Sequence, residues 1–367
     1  MKTVFICHNY KDESFASMSY FLGNHLTEEG YRVVFISKDP YFEEQVVKKI
    51  GNGELILTSW PSKVKSTGIK DFSWFFKLYK KYLPEVIIGH HNGSITSNIT
   101  AKFVGGSRTR KIDYHHINSK AIIEAKGKMD LKLRFFFLRK SLFYRLFCDQ
   151  VICPSQHALE DLEGFFKCRK GRVILNPLPD RMGISKEKNQ DGLVFGFLGR
   201  LDRNKNILTL MDAFSKLDEE YSGSPIRLKI AGGGELEKEV QKRSGAFSSI
   251  NYLGSIPYSE VNDFLQSLDF LIIPSKSDVL PTVGIEALRN GIPIIITPQV
   301  GLVDFLVEGE EFLLTQGDTN SLYLTLKKVK GLSSEDYSFL KTKARKAFER
   351  NFQLDAYIKS MKMSLNL

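Results

Sequence analysis

The sequence predicts an α/β protein built from two doubly wound, Rossmann-like domains. Three features carry this expectation. The chain has 367 residues, a length that suits two domains with a core each. Short apolar runs alternate with longer amphipathic stretches, a strand–helix–strand rhythm that begins at residue 2 and restarts at Leu193. Between the two series lies a polar, helix-breaking stretch, Asn176-Pro-Leu-Pro-Asp180 followed by 185–192 (SKEKNQDG), which reads as a linker.

In chain order, residues 2–7 read as a strand and 15–29 as a helix with Phe15, Met18, Phe21, Leu22 and Leu26 at helical spacing, stopped by Gly30. Residues 31–36 are the second strand and 54–58 a short third. The stretch 72–83 (FSWFFKLYKKYL) is an amphipathic helix with aromatics on one face and Lys77, Lys80 and Lys81 on the other. Such a helix either packs its aromatics on the sheet or lies on a membrane interface. Strands follow at 85–89 and 111–114, ending at His90-His91 and His115-His116. The stretch 131–147 (LKLRFFFLRKSLFYRLF) is helical, and its apolar residues are too many for one face. Part of them must enter the core, and the helix is a second candidate membrane-facing element. Residues 151–154 form a strand, Ser155 caps the helix from Gln156, and 172–175 end this half.

The second half reads as strand 193–198, loop 199–206, helix 207–217, strand 226–231, a triple-glycine turn, helix 235–243 and a short strand at 251–253. Strand 270–273 then leads through Ser275-Lys276-Ser277-Asp278 into a helix that opens at Thr282 and ends near Gly291, before strand 292–297. The tail from 333 to 367 is amphipathic and helical. The expected organisation is a domain over 1–184, a second over 185–350, and a terminal helix over 351–367 that packs back on the first.

Composition narrows the class. Hydrophobic residues are 42% and charged ones 26%, as in soluble proteins. No apolar run approaches the roughly 18 residues that span a membrane. The start, MKTVFICHNY, reads as a strand and not a leader, which predicts a cytoplasmic protein. Cys7, Cys148, Cys153 and Cys168 form no CxxC pair and read as reduced thiols. The net charge of +10 lies wholly in the first half: through Asp180 there are 28 Lys+Arg against 18 Asp+Glu, and the remainder holds 24 of each. A cationic first domain points to an anionic partner, whether membrane surface, nucleic acid or acidic substrate.

The chemistry concentrates at the carboxyl ends of predicted strands, where open α/β sheets bind ligands. Arg200 and Lys205 project from the loop 199–206, and two cations there suit a diphosphate. A solvated basic loop is the alternative. Gly232-Gly233-Gly234 lets backbone approach a ligand, although glycine-rich turns of this kind are common. Asp278 precedes a helix N-terminus and Glu286 lies within the helix, so two acids flank exposed amides. That set suits a ligand with an anionic centre and hydroxyl-rich ends, the form of a nucleotide-sugar. The strand-end histidines are either structural hydrogen-bonders or groups at the mouth of a cleft. The chain contains no Asp-x-Asp, which favours holding a diphosphate with cations and amides and without a metal.

Together these pieces resemble the retaining glycosyltransferases of family 4, which have the two-domain GT-B architecture. The matching stretches are Val173-Ile-Leu-Asn-Pro177, Phe197-Leu-Gly-Arg-Leu-Asp202 with Lys205, Ile230-Ala-Gly-Gly-Gly234, Asn251-Tyr-Leu-Gly-Ser255, and Ser277-Asp-Val-Leu-Pro-Thr-Val-Gly-Ile-Glu-Ala287 followed by Gly291-Ile-Pro293. They cover the second domain in motif and order. In the first domain the likeness rests on the strand–helix rhythm and a histidine. The resemblance implies two facing domains, with a nucleotide-diphosphate sugar, a UDP-sugar by preference, on the second. Arg200 and Lys205 would hold the diphosphate, Glu286 the ribose, and Asp278 the hydroxyls of the transferred sugar. Thr282 and Val283 would offer backbone N–H groups, the chain near Ile256 would read the base, and Leu280 and Gly233 would complete the donor site. His116, or His115 in its place, would stand near the donor sugar. Retention is implied, by front-face attack in which the leaving phosphate takes the acceptor proton.

Two departures from the family pattern stand out. Asp278 occupies a position where the family usually has Glu. The stretch after the first strand, Asn9-Tyr-Lys-Asp-Glu-Ser14, lacks the Gly-Gly loop of many members. The resulting expectation is transfer of a sugar to a glycan or lipid-linked precursor at the inner face of the cell membrane, with an anionic membrane surface and no nucleic acid as partner. The alternatives are a nucleotide-sugar epimerase or hydrolase on the same fold, and a non-catalytic polyanion binder.

Overall fold

The computed structural model describes residues 1–8, 14–37, 42, 44–62, 66–90, 93–180, 192–221 and 225–367. His91, the stretch 9–13 and the greater part of the predicted linker 185–192 lie outside the described residues. The described chain divides into two compact units. One comprises Met1–Ile117, Met129–Pro177 and Leu354–Leu367; the other comprises Asn118–Lys128 and Leu178–Gln353.

In chain order the first unit holds β1 (Thr3–Cys7), α1 (Ser14–Glu28), β2 (Arg32–Ser37), β3 (Val46–Ile50), β4 (Gly53–Ser59), α2 (Ile69–Tyr82), β5 (Val86–Gly89), α3 (Gly93–Val104) and β6 (Arg110–Tyr114). After α4 (Ser119–Lys126), which clusters with the second unit, come α5 (Leu131–Phe147), β7 (Gln150–Cys153), α6 (Gln156–Gly164) and β8 (Gly171–Val173). The sheet order is β3-β4-β2-β1-β5-β6-β7-β8. β3 runs antiparallel to β4, and the other pairings are parallel.

β1 explains why central strands here read as unbroken apolar runs. Every residue from Thr3 to Cys7 is buried, because helices cover both faces of a parallel sheet. Its side chains alternate. Val4 and Ile6 pack with Met18 and Leu22 of α1, while Phe5 and Cys7 pack with Trp60 and Phe75. Burial in that apolar setting pushes the Cys7 thiol up to about 12, so it stays protonated.

The second unit begins with β9 (Leu193–Leu198), α7 (Ile207–Glu220), β10 (Ile226–Ala231), α8 (Glu237–Ser244), β11 (Ile250–Tyr252) and α9 (Tyr258–Gln266). It continues with β12 (Phe270–Ile273), α10 (Thr282–Arg289), β13 (Ile294–Ile296), β14 (Phe312–Leu314), α11 (Thr319–Lys330) and α12 (Ser334–Asn351). Its sheet is parallel throughout, in the order β11-β10-β9-β12-β13-β14. The last helix, α13 (Leu354–Leu365), belongs to the first unit. Tyr357, Met361 and Leu365 enter the same core as α1, and the Tyr357 and Tyr114 hydroxyls lie 2.9 Å apart.

Several elements were not anticipated. α3 (GSITSNITAKFV) has no apolar stripe, and the residues it buries include Ser94, Thr96, Ser97, Asn98 and Thr100. Several of these polar groups bond locally or to neighbours, whereas Asn98 donates to Cys148 Sγ at 3.6 Å and leaves its Oδ1 without a partner. Ser97 donates to Gly93 O at 3.0 Å, and Thr96 donates to Ser66 O. β3 is an exposed edge strand, and β14 has only three residues. The division between units also falls before the predicted linker. Leu178 N donates to Phe352 O at 3.0 Å, which ties the chain after Pro177 to the second unit.

Candidate active site

In the second unit, β10, β9 and β12 are neighbours, so the loops that leave their carboxyl ends meet at one edge. The loops after β9 and β10 touch through backbone. Gly232 has φ +137°, and a Cβ there would fall 1.9 Å from Gly199 O. Only glycine permits both that conformation and that approach. Gly233 O accepts from Leu201 N at 2.9 Å, which fixes the glycine turn against the loop after β9.

That loop carries both predicted cations. Asp202 Oδ1 accepts from Lys205 N at 2.9 Å and closes the turn. Arg200 reaches outward with 77% of its side chain exposed, and its Nε lies 3.2 Å from Asp202 Oδ2. Asn204 then joins this loop to the one after β12. Its Nδ2 donates to Ser277 O at 2.7 Å, and its backbone O accepts from Lys276 N at 2.8 Å. These bonds bring Lys205 to Asp278, and the ammonium donates to Asp278 Oδ2. Asp278 is itself held on its other side, since its O accepts from Gly301 N at 2.9 Å. The sequence distance between the two, 73 positions, hides this pair from any local reading.

The chain then passes buried Leu280 and enters α10 after Pro281, with no side chain capping the helix. The start of α10, at the partly buried Thr282 and Val283, therefore presents backbone N–H groups and the positive end of the helix dipole. One turn further in, Glu286 is buried at 3% exposure. Its Oε1 has no hydrogen-bond partner. Burial pushes its carboxyl up to about 7, opposed by the Arg289 charge and a hydrogen bond with Tyr258. A buried carboxyl oxygen left without a donor is costly, by roughly 1–3 kcal/mol, unless a ligand supplies one. Ile256 is partly buried in the segment that links β11 to α9.

In the first unit the histidines separate into two environments. His115 is fully buried. Its Nδ1 lies 2.9 Å from the Tyr144 hydroxyl and its Nε2 2.9 Å from Asp161 Oδ2, so both ring nitrogens are engaged inside the unit. His116 is partly buried, with Nε2 3.1 Å from His90 Nδ1. His90 in turn lies 3.1 Å from Ser19 Oγ through Nε2 and stacks on Tyr114. His8 packs against His90 with ring centroids 4.1 Å apart. His8, His90 and His116 follow β1, β5 and β6, which are adjacent in the sheet.

Thus Lys205 and Asp278 come together, and Glu286 follows on α10, while Arg200 extends into solvent. His8 was missed. It follows a strand as His90 does, and only the strand order places the two side by side. Among the described residues no cluster of His, Cys, Asp or Glu has the arrangement of a metal site. An open cavity of about 590 Å³ on β10 and β11 is lined by Arg227, Lys229 and Phe247 and by none of these site residues.

Comparison with known proteins gives a consistent assignment. The model for "Glycosyltransferase Family 4" matches residues 17–179, and that for "Glycosyl transferases group 1" matches residues 182–347. An uncharacterized glycosyltransferase of Methanocaldococcus jannaschii is 28% identical over 222 residues, 58% of this chain. The matched stretch spans only 57% of that relative. Among solved structures, sucrose-phosphate synthase from Thermosynechococcus elongatus superimposes with a TM-score of 0.79 at 16% identity, covering 100% of this chain and 98% of the other. HepE of Anabaena in complex with UDP-glucose superimposes with a TM-score of 0.71 at 15% identity, over 100% of both chains. At such identities the likeness concerns the fold, which is GT-B.

Proposed function

Since the chain belongs to the glycosyltransferases, with a family 4 domain followed by a group 1 domain, we propose that it transfers a sugar from a nucleotide-diphosphate sugar to a hydroxyl of a glycan or lipid-linked precursor. The observation that carries the donor reading is Glu286, a buried carboxyl with an unpartnered Oε1 beside an uncapped helix start. A ribose hydroxyl would supply the missing donor. The N–H groups of Thr282 and Val283 would face phosphate oxygens. Lys205 and Arg200 would neutralise the diphosphate, and more strongly as it departs with the charge that develops in the transition state.

Asp278 would orient hydroxyls of the transferred sugar, with Lys205 holding the carboxylate in place until the donor enters. UDP is the favoured nucleotide, supported by the fold shared with HepE, whose structure holds UDP-glucose. His116 would stand near the donor sugar, and the first unit would take the acceptor. Transfer with retention and without a metal completes the reading. It rests on the family's pattern and on a cation-and-amide donor site. The cationic excess of the first half supports an acceptor presented at an anionic membrane surface on the cytoplasmic side.

The test is a panel of nucleotide-sugars measured by thermal stabilisation and then by product analysis with glycan and lipid-linked acceptors. One donor should stabilise the chain, and its nucleotide should be released only when acceptor is present. Release without acceptor, or a change in the donor sugar itself, would replace transfer by hydrolysis or epimerisation.

A further inference from the structure

α5 solves its excess of apolar residues by dividing them between two opposite faces. Leu133, Phe137, Phe143 and Tyr144 are buried. Leu131, Phe135, Leu138, Leu142 and Leu146 are between 42% and 83% exposed. At roughly 100° per residue these five lie within an arc of about 80°, opposite the buried face. Phe103 at the end of α3 is also exposed, but its ring neighbour is Phe147, which by the same count lies outside that arc, so the ridge is made by α5 alone.

The charges on α5 follow the stripe. Arg134 and Arg145 border it on one side, Lys132 and Arg139 on the other, and all four are exposed. The remaining cation, Lys140, turns inward and lies 3.1 Å from Asp113 Oδ2. The helix itself contains no Asp or Glu. Asp130 caps its start by accepting from Leu133 N at 2.7 Å. The result is an outward apolar ridge with a cationic margin on each side, backed by a core-facing stripe that fixes the helix on the unit.

We propose that this face of α5 is a monotopic docking surface for a bilayer that carries anionic lipid. The apolar ridge would enter the acyl boundary, and the four marginal cations would lie at the phosphate level, as long basic side chains do beside buried apolar surface. Charge decides against a second copy of this chain as the occupant. A two-fold contact through α5 would bring two helices together whose charged residues are all cationic. α2 is the weaker candidate for the same role, because most of its aromatic rings turn inward: Phe75 and Tyr79 are buried, Phe72, Trp74 and Tyr82 are partly buried, and Phe76 is left exposed. The proposal rests on the reading that the acceptor is presented at a membrane, and it names the face that meets it.

The test is flotation of the full chain with phosphatidylcholine vesicles, with and without phosphatidylglycerol, for wild type and for Leu138→Glu/Leu142→Glu. Both positions are exposed, so the variant should melt with the wild type and keep donor-induced stabilisation. Wild type should float with the anionic vesicles, and the variant should bind them at least tenfold more weakly. In Phe135→Trp, the added emission should shift to the blue on binding and be quenched by brominated acyl chains. Absence of flotation by wild type, equal flotation of the double variant, or a solution dimer that the variant dissociates would overturn the proposal. Loss of donor stabilisation in wild type with flotation intact would instead overturn the donor reading alone.

Discussion

The Lys205 ammonium donates to the Asp278 carboxylate, and so joins the loop after β9 to the loop after β12. In the proposed reading the pair is the point at which a cation for the diphosphate would meet an acid for the sugar. Replacing Lys205 by Ala leaves Asp278 without its partner and, in the proposed reading, would remove the charge that stabilises the leaving diphosphate. Turnover should fall by roughly 10²–10³-fold, the range for loss of one charge-stabilising donor. Steady-state kinetics decide this, and near-normal kcat in Lys205→Ala would remove the residue from the reaction.

Asp278→Glu should change which sugar is accepted more than how fast it is moved. The longer side chain keeps the charge but advances the carboxylate by one methylene toward Lys205 and the donor. Competition between nucleotide-sugars should show an altered order of preference, whereas Asp278→Ala should weaken all of them. An unchanged order in Asp278→Glu would argue that this acid does not touch the sugar.

Glu286 makes stability depend on pH in a defined direction. Its carboxyl sits at about 7 in the folded chain against an ordinary 4.5. The folded state therefore holds a proton that the unfolded state has lost. The contribution is intact below pH 4.5 and is lost as pH rises to about 7, a total of about 3 kcal/mol. Glu286→Gln, which cannot ionise, should match the wild type at pH 5 and exceed it in stability at pH 8. Denaturant unfolding at the two pH values measures this. The same variant should bind donor more weakly, since in the proposed reading a neutral amide oxygen would replace a carboxylate as the acceptor of the ribose hydroxyl.

The two neighbouring histidines should behave oppositely. His115→Ala empties a fully buried site and abandons Tyr144 and Asp161, so the melting temperature should drop by an amount that corresponds to roughly 2–4 kcal/mol. His116→Ala should leave the melting temperature close to wild type and lower kcat. Thermal melts beside turnover separate the outcomes.

Gly232→Ala should be among the harshest small changes in the second unit. The added methyl meets Gly199 O in a backbone conformation that alanine avoids. A loss of more than about 2 kcal/mol is expected by urea unfolding, together with loss of donor-induced stabilisation.

Much of this could be read from the chain because parallel sheets give plain signals. The strands at Phe5, Phe195 and Leu271 are buried on both faces and appear as apolar runs. Gly199 and Pro274 mark the ends of the last two. Arg200, Lys205 and Asp278 stand out for the same reason, since each follows a strand by a few positions, whereas Thr282 and Glu286 are marked by the helix that opens after Pro281. What stayed hidden depends on strand order or on polar burial. His8 joins His90 and His116 only because β1, β5 and β6 are adjacent, which no local pattern encodes. α3 escaped notice because its buried side is made of serine, threonine and asparagine. The two sides of α5 were countable but not assignable, because the pattern does not say which leucines meet the core.

The placement of α13 has a bearing on synthesis. Met1–Ile117 leaves the ribosome early, yet its core includes Tyr357, Met361 and Leu365. The second unit draws its residues from 118–128 and 178–353, so it can close before the first one does. The unit made first must therefore wait with Val4, Ile6 and Tyr114 incompletely covered while the second is translated and folds. In vivo, a chain that stops short of α13 would expose that core and fall to proteolysis, although the second unit would be whole.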